Sequence, residues 1–152
     1  MFWFAALGVL GLIFPCFGNA QDRGIWRATS SNAKSITGDI QITDLRLVID
    51  FSGYTIAQIR QLKPAELAAM FDVEASGAEG GAGYLYRLNI PATRKFLHKN
   101  TLCGTDETRW MATFVEGRNL HLAFLSSTDM PVFTFEALQG SQDLCGTFTY
   151  AR

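Results

Sequence analysis

Apolar and polar residues alternate along two consecutive stretches near the start of the chain, SITGDIQIT (35–43) and DLRLVIDF (44–51). Because successive side chains of a β-strand point to opposite faces, this period of two predicts two half-buried strands. The apolar positions change parity between the two stretches, so Thr43-Asp44 is predicted to form a tight turn or a bulge. The predicted buried positions are Ile36, Gly38, Ile40 and Ile42 in the first stretch and Leu45, Leu47, Ile49 and Phe51 in the second.

The middle of the chain alternates between strand, helix and loop patterns. Pro64 suits the first position of a helix, and apolar residues then recur three and four positions apart. Four glycines within residues 75–83 favour a flexible loop, and Pro91 ends the alternation that follows it. The predicted elements are a strand at 54–62, one or two helical turns within 63–71, the glycine-rich loop at 75–83 and a strand at 84–90.

The two stretches 108–116 and 119–126 have apolar residues on both faces. Such strands are typical of the middle of a fold, where each face of the sheet is covered. Gly117-Arg118 between them predicts a hairpin turn. Residues 130–143 are predicted to hold a short strand and a helical turn, and 146–152 a last strand.

Several short strands separated by glycine and proline predict the fold class. We expect a mainly β protein, an antiparallel β-sandwich or a small β-barrel of about seven or eight strands. One or two short helices and one disulfide would complete it.

Residues 1–20, MFWFAALGVLGLIFPCFGNA, contain no charged side chain. The apolar run is shorter than the roughly 20 residues of a membrane helix, and Gly18 and Ala20 provide the small residues of a cleavage site. We therefore predict a signal peptide at 1–20 and a single exported β-rich domain at 21–152, located in the periplasm or outside the cell. Retention of the segment as an uncleaved anchor is the alternative, because the usual basic residue before the apolar run is missing. After cleavage we expect no stable membrane span.

The charge of the chain excludes some partners. Thirteen basic and fourteen acidic residues give a net charge of −1. This balance lacks the strongly basic footprint of a nucleic-acid-binding protein, and export also argues against such a partner.

Removal of residues 1–20 would leave two cysteines, Cys103 and Cys145, each within a Leu-Cys-Gly-Thr sequence. The residues around the two copies do not match, so we do not interpret them as a duplication. A zinc site or a redox site usually shows closely spaced ligands such as CxxC, which are missing here. An even pair in an oxidising compartment predicts a structural disulfide, which stabilises a loop of this size by roughly 4 kcal/mol.

Catalytic motifs are not evident in the sequence. The only histidines are His98 and His121, and neither lies near a nucleophile motif. Adjacent carboxylates such as Asp106 and Glu107 diverge and do not flank a bond as glycosidase acids do. We predict that the protein is not an enzyme and that it uses no metal or cofactor.

The basic segment at 94–99 is the one local charge feature, and it predicts a contact surface formed by Arg94, Lys95, His98 and Lys99. Such a cluster suits an anionic surface or an acidic patch on a protein. The alternative is a solvated loop that Phe96 and Leu97 attach to the core.

Together these features predict a small non-enzymatic binding or interaction module, such as an envelope protein or an enzyme inhibitor. Its contact surface would be the 94–99 loop or the glycine-rich loop, and its partner an envelope or extracellular protein or an anionic surface. The alternative function is a small β-barrel carrier of an apolar ligand, with aromatic residues lining its cavity. Those aromatic residues are otherwise a simple core.

Overall fold

A computed structural model describes residues 21–78 and 81–152. The predicted signal peptide at 1–20 lies outside these residues. The fold is mainly β, as predicted, and its nine antiparallel strands form one sheet in the hydrogen-bonded order β4-β3-β2-β1-β9-β8-β7-β6-β5. The strands are β1 (Gly24–Ala28), β2 (Ile40–Ile42), β3 (Arg46–Ile49), β4 (Ser52–Thr55), β5 (Ala57–Gln61), β6 (Ala82–Ile90), β7 (Thr108–Glu116), β8 (Asn119–Leu125) and β9 (Leu144–Ala151).

The two edge strands of this sheet, β4 and β5, are consecutive in the chain. Ile56 alone separates them, and its N–H continues the β3–β4 ladder with a 2.9 Å hydrogen bond to the carbonyl of Leu45. In the strand order, β4 and β5 are the two edges and are not paired with each other, so the sheet is open. Because the chain passes directly from β4 into β5, the sheet is curled and the end of one edge strand adjoins the start of the other. The segment predicted as one strand at 54–62 contains the end of β4 and all of β5, and β1 was not among the predicted strands. The described residues therefore form nine strands, although the predicted strand within 130–143 is absent.

The inner face of the curled sheet is filled by side chains from every part of the chain. Trp26, Tyr86 and Tyr150 are among the largest of them and are fully buried. The interior is therefore a packed core. Its other fully enclosed aliphatic and aromatic members include Ile40, Ile42, Leu47, Ile49, Ile56, Met111, Leu120, Leu122, Phe124 and Phe148.

A second core lies on the outer face of β6, β7 and β8. Three helices contribute to it: α1 (Pro64–Phe71), α2 (Ala75–Ala78) and α3 (Phe135–Gln139). The prediction that β7 and β8 are covered on both faces is confirmed. The buried residues of this second core are Leu62, Leu67, Met70, Ala78, Leu85, Trp110, Ala112, Phe114, Ala123, Leu125 and Phe133.

Helix α1 begins at Pro64, as predicted, and a salt bridge attaches its first turn to β5. Arg60 donates two hydrogen bonds of 2.8 Å to the carboxylate oxygens of Glu66. These bonds lower the pKa of Glu66, although partial burial opposes them. The helix is thus fixed to the sheet at its N-terminal end.

The first described residues close one end of the curled sheet. The Trp26 indole donates a 2.7 Å hydrogen bond to the carbonyl of Asp22. Arg152 stacks over the Trp26 ring, 4.3 Å from its centroid, and donates to the carbonyl of Gln21. Both ends of the described chain therefore meet around one buried tryptophan.

The predicted disulfide between Cys103 and Cys145 is confirmed. Cys103 precedes β7, and Cys145 is the second residue of β9. Strand β8 lies between β7 and β9, and its last residue, Leu125, pairs with Trp110 on one side and Leu144 on the other. The disulfide consequently links the two strands across the end of the strand between them.

The predicted strand at 35–43 is wrong in its first half. Residues Ala33–Thr37 form a π-helical turn, and Gly38 then has a φ of +63°. The Thr37 hydroxyl shares a 2.6 Å hydrogen bond with the buried Tyr150 hydroxyl. Because this bond holds Thr37 at the core, the strand starts only at Ile40.

The predicted burial of Leu45 and Phe51 is also wrong. Leu45 is 68% exposed and Phe51 fully exposed. The predicted turn at Thr43-Asp44 is confirmed, since Ile42 pairs with Leu47 across it. Phe51 lies in the next tight turn, between Ile49 and Ser52. It is therefore outside β3, and the alternation that predicted its burial does not extend to it.

The glycine-rich loop predicted at 75–83 is largely replaced by regular structure. Residues Ala75–Ala78 form α2, and β6 begins at Ala82. A Cβ added at Gly83 would lie 2.4 Å from Leu67 and 2.7 Å from the Thr113 carbonyl. Gly83 is therefore explained by the close approach of α1 and β7 to its backbone, and flexibility is not needed to explain it.

The segment at 130–143 contains the predicted helical turn without the predicted strand. Thr134 accepts a 3.2 Å hydrogen bond from the Ala137 N–H and so caps α3. Phe133 packs into the outer core beside it. The final strand is confirmed and starts slightly earlier than predicted, at Leu144.

Candidate functional site

The outer face of β1, β2 and β3, which we call the bare face, has no α-helix packed on it within residues 21–78 and 81–152. Only the π-helical turn Ala33–Thr37 and a 3-10 turn at Leu97–Lys99 border it. Ile25 of β1 pairs with Gln41 of β2, which pairs with Val48 of β3. These three side chains therefore form a row across the face. Ile25 is 69% exposed, although it is a large apolar residue in a strand.

A groove of about 370 Å³ follows this row and is the candidate functional site. Its base includes Ile25 and Val48, and its rim includes Phe51 and Leu97. Leu97 approaches the strand side of the groove closely, since a Cβ at Gly38 would lie 3.2 Å from its Cδ1. The groove is thus an apolar concave surface formed between the sheet and the loop predicted as a contact surface.

Strained backbone is concentrated at the rim. Asp50, Phe51, His98 and Lys99 all have φ values between +48° and +62°, and Asp72 is the one other non-glycine residue of the described chain with positive φ. This conformation costs a non-glycine residue roughly 1–2 kcal/mol. Such strain persists where the surrounding structure imposes it, and it is concentrated at functional sites. The bulky Phe51 is the least expected of the four.

The structure places the four predicted contact residues in one loop beside the groove, but in two different roles. Arg94 is half-buried: it donates a 2.9 Å hydrogen bond to the Ser52 hydroxyl, pairs with Asp50 at 3.8 Å and stacks on the buried Phe96. Arg94 therefore fixes the loop to the β3–β4 hairpin. Lys95, His98 and Lys99 are the exposed members of the set. The attachment through Phe96 agrees with the alternative that the loop is anchored to the core.

The carboxylates that line the groove already have partners. Asp50 pairs with Arg94, and the Asp39 carboxylate accepts a 2.9 Å hydrogen bond from the Ala28 N–H. The exposed lysines Lys95 and Lys99 have no ion pair with any described residue. Asp39 keeps its negative charge, because a backbone N–H does not neutralise a carboxylate. The unpaired charges on the groove and on the loop that provides Leu97 are therefore one carboxylate and two lysines, a small positive excess that favours an anionic partner.

A buried polar cluster lies at the closed end of the sheet, around Asp22. The Asp22 carboxylate is fully buried and accepts hydrogen bonds from the hydroxyls of Tyr86 at 2.7 Å and Thr113 at 2.8 Å. Burial, and secondarily Asp22, raises the pKa of Tyr86 far above its ordinary value. The phenol therefore stays protonated near neutral pH. A general acid or base needs a pKa near the working pH, so this cluster is poorly suited to proton transfer.

His121 does not provide a catalytic arrangement either. It lies half-buried against α1, with its ring stacked 5.7 Å from Phe114 and tilted against Phe71. Burial lowers the pKa of His121, and Glu116 opposes this shift from 4.0 Å. The side chain points away from the inner face, and its role is to fill space beneath α1.

Sequence reasoning missed the two apolar residues that define the site. Phe51 was assigned to the core because it continued the period of two, although Ser52-Gly53 after it is a turn signal. Ile25 lies in a strand of only five residues, and such a short run gives no clear period. Neither signal indicates a groove, because the groove depends on Leu97 from a distant loop.

The chain matches no protein-family model, no curated protein and no solved structure. Within the described residues, no helix is both long enough and apolar enough to cross a membrane. The same part of the chain shows no group of three His, Cys, Asp or Glu side chains that would hold a metal ion.

Proposed function

We propose that the protein is a non-enzymatic binding module of the cell envelope or the extracellular space, and that it holds its partner on the bare face. The observation on which this depends is the apolar groove between Ile25 and Phe51, since it lies on the half of the sheet that lacks a helical cover. Contiguous exposed apolar surface rimmed by charge is typical of binding sites. The strained rim residues support the same interpretation.

Site-specific photocrosslinking tests the location of the contact. A benzophenone amino acid is placed at Ile25 or Phe51, and the protein is irradiated in its host cells. We expect discrete crosslinked species from both positions. Ile59 and Val132 are the matched controls, because both are exposed apolar residues away from the bare face. We expect those positions to give none of the same species.

Two results would contradict the proposal. One is the absence of any discrete species from the two groove positions, when the protein is folded and expressed at its normal level. The other is the same set of species from all four positions, which would indicate nonspecific contact with exposed apolar side chains.

Export is part of the proposal and is supported by the disulfide between Cys103 and Cys145, since such bonds persist in oxidising compartments. Intact-mass measurement of the protein from the periplasm or medium tests it. We expect a chain that starts at Gln21 and gains the mass of two hydrogens on reduction. A chain that keeps Met1, or one with two free thiols, would contradict export with cleavage.

The alternative function, a carrier of an apolar ligand inside the sheet, receives no comparable support. Trp26, Tyr86 and Tyr150 occupy the interior and are fully buried. An interior ligand would have to displace these side chains from a core that is close-packed. We therefore propose the outer groove as the binding site.

A further inference from the structure

A second depression, of about 540 Å³, adjoins the groove on the bare face. Ile25 lines both, so the two form one continuous surface that passes over β1. The side chains of Arg27, Arg118 and Arg152 line the second depression, and no acidic side chain does. The surface thus changes from apolar at one end to cationic at the other.

The three arginines differ in how much of their hydrogen-bonding capacity is free. Arg152 is used by the fold, because it donates to the carbonyls of Gln21 and Arg23 and stacks on Trp26. Arg118 donates through Nε to the Arg152 carbonyl, which leaves its two terminal nitrogens. Arg27 makes no ion pair or side-chain hydrogen bond with any residue in the described ranges. Two guanidinium groups are therefore available to an external anion, and a guanidinium binds a carboxylate through two parallel hydrogen bonds.

The spacing of the two ends suits a small amphiphile. Ile25 and Arg27 lie two positions apart on one strand, so their side chains share a face roughly 7 Å apart. The apolar part continues from Ile25 past Val48 to the rim at Leu97 and Phe51. Two carboxylates line the groove as well: Asp39, which accepts a backbone hydrogen bond, and Asp50, which pairs with Arg94. Its volume of about 370 Å³ lies within the range of roughly 300–1,000 Å³ that is usual for small-molecule sites.

We propose that the bare face binds a free fatty acid, with the alkyl chain in the groove and the carboxylate at Arg27 and Arg118. This inference rests on the proposed function and names the ligand class of the same site. The arginines would add nothing to the binding of a neutral hydrocarbon and would repel a cationic amphiphile. A flat bilayer surface does not fill a concave groove, so the free acid fits better than a lipid within a membrane.

Calorimetric titration of the purified chain 21–152 with sodium dodecanoate, below the concentration at which it forms micelles, tests the proposal. We expect saturable binding with one site, weakened by added salt because exposed charges are screened. Dodecyltrimethylammonium has the same chain with the opposite charge, and acetate has the same head group without the chain. We expect neither to bind measurably.

Paired variants assign the two ends of the ligand. The double variant R27Q/R118Q removes both available guanidiniums, and we expect it to weaken dodecanoate binding about tenfold. Ile25→Ser reduces the apolar area that contacts the alkyl chain and should weaken dodecanoate binding as well. The matched control is K63Q/R109Q, which removes the same charge from the covered half, at the start of α1 and in β7, and should change the affinity less than twofold. Circular dichroism and thermal unfolding confirm that each variant is folded.

The outcomes separate this inference from the proposed function. Absence of saturable dodecanoate binding, equal binding of the cationic amphiphile, or equal weakening by the two double variants would overturn the fatty-acid assignment. If crosslinking at Ile25 and Phe51 then yields only protein adducts, the binding face is retained with a protein segment as its occupant. Photocrosslinked adducts of fatty-acid mass, together with the expected calorimetry, would support the inference.

Discussion

The two outer faces of one sheet differ in what lies on them. Over β6, β7 and β8, three short helices bury a second core that includes Phe114 and Leu67. Over β1, β2 and β3, the part of the chain that the structure describes provides no α-helix, and Ile25 and Phe51 are exposed to solvent. The inner faces of both halves are equally buried. Both halves of the sheet therefore share the inner core, whereas only one outer face is covered by helices of this chain.

The sequences of the two halves reflect this difference. Strands β7 and β8 are apolar on both faces, as a strand between two cores must be. On the bare face, apolar Ile25 and Val48 lie among polar neighbours such as Arg27, Gln41 and Arg46. Single exposed apolar residues are ordinary on proteins. Several that line one groove are better explained by a ligand than by the packing of this chain.

The largest expected effect comes from truncating a phenylalanine on each outer face. Phe114 is fully buried between Phe71 and His121. Phe114→Ala should lower the free energy of unfolding by about 3–5 kcal/mol, because it removes transfer energy and leaves a cavity. Phe51→Ala, on the bare face, should change it by less than about 0.5 kcal/mol. Urea denaturation measures both values.

The pair of variants also tests whether the bare face is free in the isolated protein. A loss of several kcal/mol from Phe51→Ala would show that another part of the chain covers Phe51 in solution. A small loss from Phe114→Ala would show that the helices contribute little to stability. Either result would contradict the proposed difference in stability between the covered outer face and the bare face.

The covered half was predictable from sequence because its signals are local. The period of three and four after Pro64 and the two-sided apolar pattern of β7 and β8 both survive in the structure. The disulfide could equally be predicted from the sequence, since only two cysteines remain after residue 20. In each case, residues close in sequence, or a simple count, contained the necessary information.

The bare half was not predictable because its groove is formed by distant segments. Leu97 and Phe51 meet at the rim although they are far apart in the chain, and Arg94 holds the two segments together through Asp50 and Ser52. A sequence pattern identified the basic loop but not what it packs against. The period of two also misassigned Ile36 and Phe51, because tertiary hydrogen bonds and a turn interrupted each strand.

A smaller effect is expected from glycine substitutions beneath the helical cover. A Cβ at Gly83 would lie 2.4 Å from Leu67 and 2.7 Å from a backbone carbonyl that cannot rotate away. Gly83→Ala should therefore lower the free energy of unfolding by about 1–3 kcal/mol, the usual cost of overpacking. Thermal and urea unfolding measure the change.

Gly77→Ala is the matched control for this substitution. Gly77 lies in α2, where the nearest atom to an added Cβ is a Glu116 carboxylate oxygen 4.0 Å away. Alanine favours a helix over glycine by up to about 1 kcal/mol, so this variant should be neutral or slightly stabilising. Equal losses from both variants would contradict close packing as the reason for Gly83.

The smallest expected effect is a pH dependence confined to the covered half. Burial beneath α1 lowers the pKa of His121 in the folded protein, so the unfolded chain binds a proton more readily. Stability should be complete above the ordinary histidine pKa of about 6.5 and should decline as the pH falls below it. One such group changes the free energy of unfolding by no more than roughly 1.4 kcal/mol per pH unit, and the slope ends below the folded pKa.

Urea denaturation between pH 5 and 8 measures this slope, and two variants assign it to one half of the molecule. His121→Gln should remove the contribution of the buried ring from the profile. His98→Gln changes the exposed histidine beside the groove and leaves His121 in place, so it should retain the slope. Loss of the slope from His98→Gln, with the slope retained in His121→Gln, would contradict the assignment of the pH dependence to His121.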